Sequence, residues 1–220
     1  MSKVISIAIT SDTVCPWCFI GKRRLEKAIQ IARAKDPNVQ FDIIYKPYEL
    51  DSTLSTTGRK KQEYYIGRFG RDRYEQITAY TNQVGKQEGI NFSWNGDISS
   101  TFQSHRLLDF AKSEGVQYQL TEELFKAYFE QERNISDTQV LADAAASVGL
   151  NREQVVELLE SDRDVDRVRK DIQSAKRSSV NGVPHFVING KHELSGAQDP
   201  ETFASTRPVS LGSLEKKMRQ

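Results

Sequence analysis

Cysteine is nearly missing from this chain: there are two in 220 residues, Cys15 and Cys18. One pair cannot make a disulfide framework, and a chain of this length buries a sizeable core without covalent staples. An excess of charge of one sign is missing as well. The formal net charge is +1 with 28% charged residues, so nothing argues for nucleic acid or an anionic membrane as partner. No apolar run is long enough to span a bilayer. Residues 1–10 (MSKVISIAIT) carry one lysine and a short apolar alternation that gives way at once to Ser11-Asp12, too short for a secretory signal. The expectation is a cytoplasmic protein, where a lone Cys-x-x-Cys is redox-catalytic or metal-binding rather than structural. Internal repeats and low-complexity segments are also lacking.

What is present begins as β-α-β. Val4 to Ile9 reads as a buried strand. Residues 18–34 read as a helix with an apolar stripe of Ile20, Leu25, Ala28, Ile29 and Ala32, stopped by Asp36-Pro37-Asn38. Residues 39–45 (VQFDIIY) read as a second strand, which implies a parallel pair. After a Ser/Thr-rich stretch at 51–58, only helical periodicity is found from about 59 to 177. The helices expected are 60–67, 70–88, 101–114, 121–133, 137–148, 151–160 and 162–178. Ser136…Gln139 and Asn151…Gln154 resemble capping boxes, and Gly115 and Gly149 stand where helix-terminating glycines do. The last helix has a stripe of Val165, Val168, Ile172 and Ala175. Strand texture then returns at 185–188, with Asn189-Gly190 as a type I′ hairpin turn, a returning strand at 191–194, a turn at 195–199, a helix from Pro200 and a short helix at 211–219.

The chemistry centres on Cys15-Pro16-Trp17-Cys18. Attack on a disulfide requires a thiolate. With the helix starting at Pro16, Cys15 is its N-cap, and the unpaired N–H groups and positive dipole end favour a negative sulfur there. That makes Cys15 the nucleophile. Cys18, one turn on and less exposed, resolves the mixed disulfide. Trp17, beside an exposed thiol, is assigned to a substrate-facing surface. A zinc site from Cys15, Cys18, His185 and His192 is disfavoured, because six residues separate the two histidines on a tight hairpin; no metal is expected. Val183-Pro184 is a second constellation. A cis bond there would turn the Val183 backbone toward the thiol, where it could pair with a peptide as a short added strand; an ordinary trans proline at a strand start is the commoner state.

Four stretches taken together (residues 11–21, 104–107, 182–188 and 195–198) resemble the DsbA family of thioredoxin-fold proteins, and within it the FrnE-like branch. The resemblance implies an α/β thioredoxin fold at residues 1–52 and 178–220, interrupted by a large all-helical insertion at 53–177 that caps the active-site face. It implies that Cys15 is the nucleophile, Cys18 the resolving thiol and Pro184 a cis-proline facing them. It places His105 near the redox site as a group that tunes the thiolate or shuttles a proton, against a packed histidine satisfied by a carbonyl. Related 2-hydroxychromene-2-carboxylate isomerases and kappa-class glutathione transferases typically have serine in place of the first cysteine, and this chain departs from them by keeping both sulfurs. Glutathione-dependent isomerisation or transfer, including a role in aromatic secondary metabolism, is therefore the second reading. No tightly bound cofactor is implied. Partners are protein or peptide thiols and disulfides, with glutathione as a candidate co-substrate docking at Val183 and at the Ala197-Gln198 turn, although Gln198 replaces the acid common in glutathione-binding relatives. Trp94, Tyr64, Tyr65, Phe102, Phe125, Tyr128 and Phe129 are read as insertion core or groove wall, and Arg68, Arg71 and Arg73 as a solvated helix face, with a basic docking surface as the weaker alternative.

Overall fold

The structure is a computed structural model that describes residues 4–178 and 180–206; the helix expected at 211–219 lies outside them. Strand β1 (Val4–Ser11) is followed by helix α1 (Pro16–Lys35) and β2 (Gln40–Pro47). Then come β3 (Arg59–Lys60), α2 (Lys61–Phe69), α3 (Arg71–Gln87), β4 (Asp97–Ile98), α4 (Phe102–Ser113), α5 (Gln117–Phe129), α6 (Thr138–Ser147), α7 (Arg152–Glu160) and α8 (Val165–Arg177). The chain closes with β5 (His185–Ile188), β6 (His192–Ser195) and α9 (Pro200–Ser205). The main sheet has the order β2-β1-β5-β6. β1 runs parallel to β2, with Ile7 opposite Ile43, and antiparallel to β5, with Thr10 opposite His185.

Strand alternation puts Ile5, Ile7 and Ile9 on one buried face of β1. There they meet Leu25, Ala28, Ile29 and Ala32 of α1, with Phe186, Ile188 and Phe203 completing this core. A second core belongs to the helices. It gathers Leu107, Leu120, Leu124, Phe125, Phe129, Leu141 and Val155, and it includes Val14, Cys15, Cys18, Phe19 and Ile20 from the start of α1. One helix thus serves both cores, its later turns on the sheet and its first turn in the insertion. Phe19 is fully buried and stacks on Phe125 at 5.1 Å between ring centroids, an aromatic pair that contributes about 0.5–1.5 kcal/mol beyond its buried area. The Cys15–Cys18 turn sits where the two cores meet.

Most local expectations hold, and several shift for identifiable reasons. Asn189 and Gly190 both have positive φ, as a type I′ turn needs, and Asn189 Oδ1 accepts the Ser6 N–H to tie the turn to β1. Asn151 caps α7, but the cap of α6 is Asp137 rather than Ser136: its carboxylate accepts from Gln139 and Val140 N–H, while the Ser136 hydroxyl reaches back to the Thr56 carbonyl. α5 begins four residues earlier than the periodicity suggested, because the Gln117 side chain leaves the helix to bond both the N–H and the C=O of Tyr45. The insertion also contains the two-residue β3–β4 ladder, too short to carry a period.

Candidate active site

The Cys15 backbone is extended, at φ −90° and ψ 113°, and Pro16 occupies the first helical turn. Its missing N–H costs no helical bond at that position. The Cys15 N–H donates to the Asp12 carbonyl, which fixes the turn leading into the helix. The Cys15 thiol faces the Val183 carbonyl at 3.5 Å, and the Val183–Pro184 bond is cis. The two sequence constellations therefore meet, with the Val183 backbone against the sulfur. Both cysteines are free thiols.

One expectation needs correction. The sequence implies an exposed Cys15 thiol, yet Cys15 is 4% exposed, against 2% for Cys18. The order is as anticipated, but the first turn of α1 packs into the insertion core and its sulfur is covered. Burial pushes the Cys18 thiol well above the ordinary range, reinforced by the hydrogen bond and charge of Cys15 and opposed by the Ser11 hydroxyl and the Asp12 backbone. Trp17 is half-buried, with its ring 5.8 Å from that of Tyr80.

Gly21 explains how α1 can lie so close to the Pro184 loop. A Cβ there would stand 3.0 Å from Pro184 Cγ and 3.2 Å from the Phe186 ring. Ala197 sits on the same patch. Its carbonyl accepts from Arg24 Nη1 at 2.7 Å, and Arg24 also pairs with Glu88 and Asp199. The Gln198 amide is turned back onto the Ser195 carbonyl.

Three consecutive residues of α4 do three separate jobs. Ser104 shares a 2.8 Å hydrogen bond with Thr13. His105 Nε2 lies 2.8 Å from the Tyr48 carbonyl and 3.4 Å from Asp12 Oδ1; since a carbonyl only accepts, Nε2 carries the hydrogen. Arg106, 2% exposed, donates to the carbonyls of Leu158, Leu159, Ser161 and Arg163, closing the C-terminal end of α7. Asp12, Tyr48, Gly21 and Arg106 have no individual role in the sequence reading. Asp12 lies three residues before Cys15 and was within reach of inspection, but Tyr48 acts through its carbonyl and has no sequence signature.

His185 is buried on β5, with Nε2 3.3 Å from Glu193 Oε2, on the opposite strand face from Phe186. Among the described residues no three His, Cys, Asp or Glu side chains converge as metal ligands, and no helix is long and apolar enough to cross a membrane.

Residues 6–206 match the DSBA-like thioredoxin domain family. The chain belongs to that family. This DSBA-like chain is 26% identical over 204 residues to the uncharacterized protein YwbO of Bacillus subtilis (strain 168), covering 90% of this chain and 94% of that one. Among solved structures it is similar to a probable DsbA oxidoreductase, SCO1869, of Streptomyces coelicolor, with TM-score 0.84 and 28% identity over 95% of this chain and 92% of that one. It shares its fold, at TM-score 0.60 and 14% identity, with a 2-hydroxychromene-2-carboxylate isomerase, covering 87% of this chain and 89% of the other.

Proposed function

We propose that this protein is a thiol–disulfide oxidoreductase that cycles Cys15 and Cys18 between dithiol and disulfide. The observation that carries this reading is the Cys15 thiol set between the Val183 backbone and a second thiol: Cys15 is at the helix N-cap, 3.5 Å from the Val183 carbonyl, and Cys18 is buried in the same turn.

In the reductive direction the Cys15 thiolate attacks one sulfur of a client disulfide, and the other client sulfur leaves as a thiolate. Cys18 then gives up its proton and attacks Cys15 Sγ, so that the second client sulfur leaves. The client gains two electrons and two protons, and Cys15–Cys18 becomes a disulfide. In reverse the same steps oxidise a dithiol. The half-buried Val183 backbone beside Cys15 suits an extended client peptide, which makes protein and peptide disulfides the preferred partners. Glutathione is a candidate reductant or co-substrate. The working compartment proposed is the cytoplasm, in keeping with a chain whose only two cysteines both lie in the site. The reading also treats 53–177 as an insertion into a thioredoxin unit at 1–52 and 178–220, supported by the two separate cores.

A glutathione-dependent isomerase or transferase remains the second reading, and it has no use for Cys18. The deciding experiment equilibrates the protein in glutathione redox buffers and follows thiol labelling by gel shift. A reversible two-electron couple is expected, lost in Cys15→Ser and in Cys18→Ser. A stable glutathione adduct on Cys15 with no couple, and activity indifferent to Cys18→Ser, would overturn the redox reading in favour of the second.

A further inference from the structure

On the face of the sheet away from α1, a cleft of about 460 Å³ lies between the strands and helices α4 and α8. Small-molecule sites occupy roughly 300–1,000 Å³. Neither cysteine lines this cleft, which sets it apart from the redox site. The strand register builds its floor. Thr10 stands opposite Lys46 of β2 and His185 of β5, and Val187 stands opposite Glu193 of β6. Residues directly opposite share a face, and so do residues two apart on one strand. Lys46, Thr10, His185, Val187 and Glu193 therefore project together, while Ile9 and Phe186 point into the core on the other side.

The charges divide along the floor. Asp109 lines the cleft but is taken up by Arg167 at 2.5 Å. Lys46, Lys112 of α4 and Asp171 of α8 line it too, and among the described residues none of the three forms an ion pair. Asp171 offsets one lysine, which leaves a cation for a ligand carboxylate. Toward β6, the Glu193 side chain is 57% exposed, with its Oε2 3.3 Å from His185 Nε2. A carboxylate only accepts, so Nε2 carries a hydrogen. His185 is 5% exposed, and its Nδ1 is buried with no hydrogen-bond partner. A buried polar atom left unpaired is costly, and a ligand N–H brought to the ring relieves that cost.

The spacing limits what fits. Lys46 and His185 stand two strand spacings apart, about 10 Å. The ammonium and carboxylate of an α-amino acid lie about 3 Å apart and each adds a contact of about 2.8 Å, which together bridge that gap. The space left over is walled by Pro47, Ala175 and Val187, which suits an uncharged, apolar side chain. We propose that this cleft binds a free α-amino acid with an apolar side chain. Its carboxylate rests on Lys46 and Lys112, and its ammonium sits between Glu193 and the His185 ring.

The test is calorimetric titration of the reduced full-length protein with three compounds: L-leucine, N-acetyl-L-leucine, which has no ammonium, and L-leucinamide, which has no carboxylate. Leucine should bind about tenfold more tightly than either derivative. Lys46→Met should weaken leucine about tenfold and leave leucinamide unchanged, because leucinamide has no carboxylate to lose its partner. Glu193→Gln should weaken leucine about tenfold and leave N-acetylleucine unchanged. Both positions are exposed. The double variant Cys15→Ser, Cys18→Ser should bind leucine as the wild-type protein does. Absence of leucine binding, equal binding of the three compounds, or a Lys46→Met loss shared by leucinamide would overturn the site. Loss of leucine binding in the double cysteine variant would place the ligand at the redox motif and overturn it as well.

Discussion

His105 Nε2 lies 3.4 Å from Asp12 Oδ1 in a pocket where both side chains are almost wholly buried. The other carboxylate oxygen of Asp12 accepts the Leu50 N–H, whereas Oδ1 has no hydrogen-bond partner. A carboxylate held this way three residues before Cys15 is a fixed negative charge that opposes a second one on the thiols. Asp12→Asn should therefore stabilise the dithiolate-competent reduced form and raise the reduction potential, by about 30 mV for a tenfold change in equilibrium. His105→Gln, whose amide can still donate to the Tyr48 carbonyl, should move it far less. Glutathione equilibration measures both, and equal shifts in the two variants would show that the effect is loss of packing rather than of charge.

The approach of α1 to the Pro184 loop depends on Gly21. Gly21→Ala should cost about 1–3 kcal/mol, the usual penalty for overpacking, because its Cβ would press on Pro184 and Phe186. Displacing that loop also moves the Val183 carbonyl away from Cys15, so disulfide exchange should slow more than the stability loss alone would predict. Urea denaturation and single-turnover kinetics with hydroxyethyl disulfide separate the two effects.

Arg106 is a structural pin rather than part of the redox chemistry. Arg106→Leu removes the guanidinium donor from the Ser161 and Arg163 carbonyls and leaves those of Leu158 and Leu159 with their Ser161 and Gln103 partners, and should destabilise the protein by about 3 kcal/mol. The reduction potential of the surviving folded protein should be unaffected. A shifted potential would show that Arg106 also reaches the thiols electrostatically.

Lys61 offers a pH test. Its ammonium donates to the Tyr128 carbonyl and sits 3.8 Å over the Tyr128 ring, and burial brings its pKa down to about 8, against the opposing pull of Glu132 and Asp97. The unfolded chain holds that proton up to about pH 10.4. Between these values the unfolded state binds more protons than the folded one, so this group makes stability rise with pH across that window. Below about pH 8 both states are protonated and the contribution is flat. The stability of the wild-type protein minus that of Lys61→Met should climb from about pH 8 to 10, as read from urea midpoints; a flat difference would mean Lys61 keeps its proton throughout.

How much of this could be read beforehand varied with the range of the interaction. The β-α-β start, the Asn189-Gly190 turn, the Pro16 and Pro200 helix starts and the glycine stops at 115 and 149 are each fixed by a few adjacent residues, because propensity, capping and turn geometry act over one or two turns of chain. The placing of Cys15 at a helix N-cap, with Cys18 one turn on, is local in the same way. By contrast, the burial of Cys15, the orphaned oxygen of Asp12 beside His105, the close pass of Gly21 by Pro184 and the capping of α7 by Arg106 join residues 52 to 168 positions apart at their named contacts. Such pairings carry no periodic signal. They exist only once two cores pack against opposite ends of one helix, and packing at that distance is set by the shape of the whole chain rather than by any segment of it.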